Sequence, residues 1–177
     1  VRLLSALPLR SRPRIVTTDG EYHSARRQFD RLAEESPLEI VRVPAHPSAD
    51  VTGRLAEAVN DQTSLVMVSH VLFRTAQIVP NLRLLASTCQ RFGAELLVDM
   101  YHSVNVLDTL EPEVQGQSTD GGASASPNAD LISGIECAFI VGGGYKYLQC
   151  GEGNCFLRFP ADCQLRPAVT GWFAEFD

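Results

Sequence analysis

Residues 138–149 read A-F-I-V-G-G-G-Y-K-Y-L-Q. The apolar run 138–141 reads as a buried strand, and the three glycines that follow read as its end. A single lysine, Lys146, then stands between Tyr145 and Tyr147. Glycine allows a sharp turn and lets another group come close to the backbone. A lysine sheltered in a pocket beside such a turn loses solvation, which favours its neutral, nucleophilic amine. The plainer alternative is a solvated lysine after a glycine turn. The choice depends on what the other segments bring to the same place.

Working outward, apolar and β-rich runs alternate with helical patterns. The run 14–18 (R-I-V-T-T) predicts a strand closed by Asp19-Gly20. Ser24 is a candidate N-cap for a helix whose Ala25, Phe29, Leu32 and Ala33 share one face. A second strand is predicted over 38–43, and Asp50 is placed to cap a helix carrying Leu55, Ala56 and Val59. A third strand follows over 64–68. Pro80 suits the first turn of a helix with Leu82, Leu85, Ala86 and Cys89 inward, ended by Gly93. The run 95–98 is again a strand, with Asp99 at its carboxyl end. This alternation implies βαβ units, so the fold class is α/β, a largely parallel sheet flanked by helices. Such sheets gather ligands at the carboxyl ends of their strands. Thr17, Ser69, Asp99 and the glycine-lysine segment all fall at or just past apolar runs.

Composition narrows the function classes. The 177 residues suffice for one sizeable core, and 45% hydrophobic with 20% charged is ordinary globular usage. A net charge of −6 argues against a broad nucleic-acid surface or an anionic membrane as partner. The opening residues lack a signal peptide's layout, and no run is long and apolar enough to span a bilayer, so a cytoplasmic location is expected. The five cysteines are odd in number and show no C-x-x-C spacing, which fits reduced thiols better than disulfides or a zinc site. No metal is expected. The stretch 111–130 is rich in Gly, Ser and Pro with little to bury, and reads as a flexible surface insertion.

Two phosphate motifs fail on the glycines. A P-loop needs four residues between its glycines and a Ser or Thr after the lysine, where Tyr147 stands. G-E-G-N-C-F (151–156) has two glycines in dinucleotide register but no third, and it precedes a strand. Asp99 has His102 three residues on. That pair could orient a catalytic imidazole, ligate a metal with further ligands, or hold a cofactor's protonated ring nitrogen; Asp99 could also simply cap a turn. Nucleophilic serine catalysis lacks its G-x-S-x-G elbow. Taken with Lys146, Asp99 completes the pair that pyridoxal 5'-phosphate (PLP) chemistry requires: a Schiff-base lysine and an acid opposing the pyridinium nitrogen.

D-M-Y-H-S (99–103), G-Y-K-Y-L-Q-C-G-E-G (144–153), T-G-W-F-A-E-F (170–176) and S-H-V-L-F-R-T-A-Q (69–77) resemble the cofactor region of fold-type I, class V PLP enzymes, kynureninase most closely. The resemblance covers roughly positions 14–177. It implies that Lys146 is the Schiff-base lysine, Asp99 the partner of the pyridine nitrogen, and His102 a neighbour of the cofactor's phenolic oxygen. It implies that Tyr145 bonds the phosphate and assists proton transfer. Ser69 and Trp172 would also reach the phosphate end, Trp172 from across a dimer interface. His23, in E-Y-H-S, would stack on the cofactor ring, an arrangement that suits an aromatic face.

The activity so implied is PLP-dependent hydrolysis of a carbon–carbon bond in an amino acid of the L-kynurenine type, by a homodimeric full-length enzyme of tryptophan catabolism. A class V cysteine desulfurase, selenocysteine lyase or aminotransferase is the alternative reading. By the same resemblance, residues 1–177 would be part of a large cofactor-binding domain, without the family's early phosphate-loop segment and its C-terminal small domain. A truncated, non-catalytic fragment is therefore a third reading.

Overall fold

The computed structural model describes residues 1–107 and 134–170. The expected insertion at 111–130 and the candidate Trp172 lie outside these residues. A short helix, α1 (Arg2–Ala6), precedes the first strand and has no counterpart among the sequence expectations. Then come β1 (Arg14–Thr18), α2 (His23–Glu35), β2 (Glu39–Val43), α3 (Val51–Ala58), β3 (Thr63–Ser69), α4 (Leu82–Phe92), β4 (Glu95–Asp99), β5 (Phe139–Gly143) and β6 (Cys155–Arg158).

The six strands form one sheet in the order β2-β1-β3-β4-β5-β6. The first five are parallel to their neighbours, and β6 runs antiparallel to β5. From β1 the chain steps outward to β2, then returns past β1 to β3 and continues to β4. The carboxyl ends of β1 and β3 therefore flank the point where strand order reverses, which is where open α/β sheets form a crevice.

Both faces of the sheet are covered at its inner strands, most completely at β3, which explains why these read as apolar runs. Along β3, Val66 and Val68 enter the larger core cluster with Leu55 of α3 and Leu82, Leu85, Ala86 and Cys89 of α4. Leu65 and Met67, alternating with them, enter a second cluster with Leu4 of α1 and Phe29 of α2. The expected inward face of α4 is buried as read, and Gly93 ends the helix at φ 63°, its N–H reaching the carbonyls of Cys89 and Gln90. Among L residues that left-handed conformation is strained, so glycine is favoured there.

Three expectations are corrected. Helix α2 begins at His23, one residue before the expected cap, so Tyr22 and not Ser24 holds the N-cap position. Pro80 stands before Asn81, the N-cap of α4, rather than in that helix's first turn. The glycine run does not end its strand. Gly142 and Gly143 are the last two residues of β5 and pair with Phe156 and Cys155 of β6. What they supply is space: a Cβ on Gly142 would stand 2.5 Å from the Phe156 ring, and one on Gly143 would stand 1.9 Å from Tyr101 Cε1.

Candidate active site

At the carboxyl edge of the sheet, Tyr22, Ser24, Ala25, Ser69, Asp99, Tyr101, His102, Tyr145 and Lys146 line one cavity of about 190 Å³. Five elements contribute: the turn after β1, the start of α2, and the ends of β3, β4 and β5. Residues up to 124 positions apart in sequence, Tyr22 and Lys146, meet because parallel strands bring every carboxyl end to one edge.

Lys146 Nζ lies 2.9 Å from His102 Nε2. The amine is also 5.6 Å from the ring centroid of Tyr22, 5.4 Å from Tyr101 and 5.8 Å from Tyr145, so three aromatic rings surround it at cation–π range. Burial lowers the His102 pKa, and the Lys146 charge lowers it further, against an opposite pull from Asp99. The lowered pKa favours the neutral imidazole, whose Nε2, with the proton on Nδ1, accepts a hydrogen bond from the Lys146 amine.

Among the described residues, Asp99 accepts one hydrogen bond, on Oδ1 from the Tyr101 N–H at 2.9 Å. Burial raises its pKa; the Tyr101 amide, His102 and Lys146 pull it down. Among the described residues no basic side chain forms an ion pair with Asp99. Ser69, opposite Asp99 in the β3–β4 register, donates its hydroxyl to Glu21 Oε2 at 2.5 Å. Glu21 Oε1 accepts from Thr18 Oγ1 at 2.8 Å and from the Ser69 N–H at 3.2 Å.

Of the residues singled out in the sequence, the structure brings together Lys146, Tyr145, Asp99, His102 and Ser69. His23 is not among the residues lining the cavity: it starts α2, with its ring 4.1 Å from that of Tyr22. Tyr22 takes the place over the cavity instead. Sequence reasoning missed Tyr22, Tyr101 and Glu21. The one-residue shift in the start of α2 accounts for Tyr22. Tyr101 sits inside D-M-Y-H-S, yet only the void above Gly143 reveals where its ring goes.

No known protein-family model matches the sequence. It is 27% identical over 166 residues to isopenicillin N epimerase of Amycolatopsis lactamdurans, covering 89% of this chain and 36% of the epimerase. It is 26% identical over 151 residues to kynureninase of Burkholderia pseudomallei (strain K96243), covering 84% of this chain and 28% of that enzyme. Among solved structures, an apo cysteine desulfurase from Thermococcus onnurineus NA1 aligns with a TM-score of 0.66 at 18% identity, over 97% of this chain and 38% of the desulfurase. A C-DES mutant with glycine covalently linked to its PLP cofactor aligns with the same TM-score at 22% identity, over 90% and 38%. The fold is that of the PLP-dependent transferases.

The relatives and structural neighbours support a PLP-dependent, class V, fold-type I family and not kynureninase in particular. The chain spans between 28% and 36% of the curated relatives it matches. Within the transferase fold, the residues at the cavity fit PLP on their own chemistry. An amine stands in a cleft beside a neutral imidazole, and a buried carboxyl with unused acceptor capacity and no ion-pair partner among the described residues lines the same cleft. A protonated pyridine nitrogen would supply the partner that Asp99 lacks.

Proposed function

We propose that this protein is the cofactor-binding core of a PLP-dependent enzyme acting on an amino acid, and that its reaction is kynureninase-like hydrolysis of a carbon–carbon bond in the substrate. The observation that carries the reading is the Lys146–His102 contact in the cavity that Asp99 also lines. Lys146 would hold the cofactor at its aldehyde carbon and Asp99 at its ring nitrogen, with the rings of Tyr22 and Tyr101 beside it. When bound, PLP supplies an electron-accepting ring that stabilises a carbanion at the substrate's α-carbon.

The protein's own residues supply the proton handling. The Lys146 amine would take the proton from the substrate's α-carbon. His102 Nε2, 2.9 Å away, accepts a proton from Lys146 Nζ and can return it. The Tyr145 hydroxyl is a second group able to deliver a proton, on a half-exposed side chain at the cavity mouth. The kynurenine-type substrate is favoured by the aromatic frame. Tyr22 has Phe73 edge-on at 5.0 Å, and Phe73 lies 6.2 Å from His102, so an aryl side chain entering past this rim meets apolar rings.

The test begins with the cofactor. Purified protein mixed with PLP should develop the visible absorption of lysine-bound cofactor, and Lys146→Ala should not; identical spectra would end the cofactor reading. Substrate then decides the activity. Anthranilate released from kynurenine supports the hydrolase, whereas sulfide released from cysteine replaces it with the desulfurase alternative.

A further inference from the structure

Glu21 takes no part in the reaction just described, yet it is the most elaborately bonded acid among the described residues. Its side chain is 5% exposed and accepts three hydrogen bonds, all from the ends of β1 and β3. Among the described residues it has no ion-pair partner. A buried carboxyl is tolerated only when its oxygens are satisfied, and here Thr18 and Ser69 satisfy them.

This bonding fixes what Ser69 can offer. A hydroxyl carries one proton. Burial raises the Glu21 pKa, while the hydrogen bonds from Ser69 and Thr18 pull it back toward the charged form. The carboxylate takes the Ser69 proton on Oε2, and the Ser69 oxygen then presents only lone pairs to the cavity it lines. Ser69 and Asp99 are register partners on adjacent parallel strands, so their side chains project from the same face, side by side. Were the Ser69 proton free, the Asp99 carboxylate, its register neighbour, could accept it. A hydrogen bond from Ser69 would stabilise the charged form of Asp99 and weaken its hold on any other donor. The same bonding disfavours the phosphate contact expected of Ser69, because a phosphate needs a donor and finds lone pairs.

We propose that Glu21 is a positioning residue: it captures the Ser69 hydroxyl proton and so leaves Asp99 uncapped, with a second acceptor beside it, for the protonated ring nitrogen of the cofactor. This rests on the PLP reading of the cavity. The cavity would thereby offer two adjacent acceptors, Asp99 and the Ser69 oxygen, to one N–H. Glu21→Gln keeps the shape and the acceptor oxygen for Thr18 and the Ser69 N–H. Its amide, however, donates to the Ser69 oxygen and turns the serine proton toward Asp99.

The experiment compares binding of PLP with binding of its 1-deaza analogue, which lacks the ring nitrogen, to the full-length protein by equilibrium titration. Wild type should prefer PLP. Glu21→Gln should reduce that preference about tenfold, mainly by weakening PLP, while binding of the deaza analogue stays within about twofold. Ser69→Ala removes the serine proton without turning it toward Asp99, so alone it should cost only the second acceptor, about twofold, and in the Glu21→Gln background it should restore most of the lost preference, because the cap on Asp99 is the Ser69 hydroxyl. Should Glu21→Gln fail to fold, Glu21→Ala, which also leaves the Ser69 proton free, carries the same test. If these variants lower the unfolding midpoint but leave the PLP-to-deaza ratio unchanged, Glu21 is merely structural and the proposal is overturned. If wild type binds neither compound, the PLP reading itself falls, and this inference falls with it.

Discussion

Ser69 and His70 are consecutive residues at the carboxyl end of β3, and both are buried, at 4% and 0% exposure. Continuing the strand's alternation, they turn to opposite sides of the sheet. Ser69 lines the cavity and is tied to Glu21 by its hydroxyl and its backbone. His70 has no hydrogen-bond partner on either ring nitrogen among the described residues, and burial lowers its pKa to about 4. The same strand end therefore carries one polar group that is fully engaged at the site and another that only burdens the fold. Burial of a polar side group marks function where partners converge on it. Without partners it marks a stability cost, since an unsatisfied buried polar group costs on the order of 1–3 kcal/mol.

Substitutions should separate the two sides, with effects on chemistry at the cavity and on stability behind it. The largest effect is expected from Lys146→Ala. It removes both the group that would hold the cofactor and the base beside His102, so turnover should fall at least about 10³-fold, with no visible cofactor absorption on PLP titration. Asp99→Asn should come next. It should lower turnover by about 10²–10³-fold in steady-state assays while the lysine-bound absorption persists, because the role proposed for the acid is to oppose the ring nitrogen and not to hold the aldehyde. Normal turnover in that variant would refute its assigned role.

Gly143→Ala tests whether the glycine run serves space or conformation. A Cβ there must displace the Tyr101 ring, which borders Lys146, so a cost of about 1–3 kcal/mol in denaturant unfolding should accompany weakened PLP binding. If the glycines served only flexibility, alanine in this extended strand position would be harmless.

The smallest effect belongs to His70, and it should appear in stability alone. Below pH 6.5 the unfolded protein takes up a proton that the folded one refuses until about pH 4. The histidine's stability contribution is therefore intact above pH 6.5 and is lost as pH falls toward 4, by about 3 kcal/mol. His70→Leu should flatten that acid-side slope in chemical denaturation curves and raise stability at pH 7 by about 1 kcal/mol, with PLP absorption unchanged. An unchanged slope would show that the imidazole finds a partner.

Legibility in the sequence differs from element to element. The parallel strands and the faces of α2 and α4 can be read because apolar spacing responds directly to burial on one or both sides. Lys146, Asp99 and His102 can be read because a strand end followed by a turn places polar groups at the ligand edge. Tyr22 cannot, since exchanging it with His23 needs a shift of one residue in where the helix starts, finer than capping signals resolve. Gly142 and Gly143 read as a turn when they are an extended part of β5. No local signal distinguishes a glycine needed for its backbone freedom from one needed because a ring from another element occupies its Cβ position.

Local pattern alone dictates the alternation of strands and helices, the parallel sheet that follows from it, and the polar residues at three strand ends. Each of those depends on neighbours within a few residues. Folding in three dimensions had to settle that the Lys146 amine meets the His102 imidazole, that Tyr22 stands over the cavity, that the Tyr101 ring fills the space above Gly143, and that Glu21 binds Ser69. Three of those four contacts, Lys146–His102, Gly143–Tyr101 and Glu21–Ser69, join residues 44, 42 and 48 positions apart. Pairings at such separations are set by which strands lie side by side in the sheet, a property of the folded protein that no local pattern encodes.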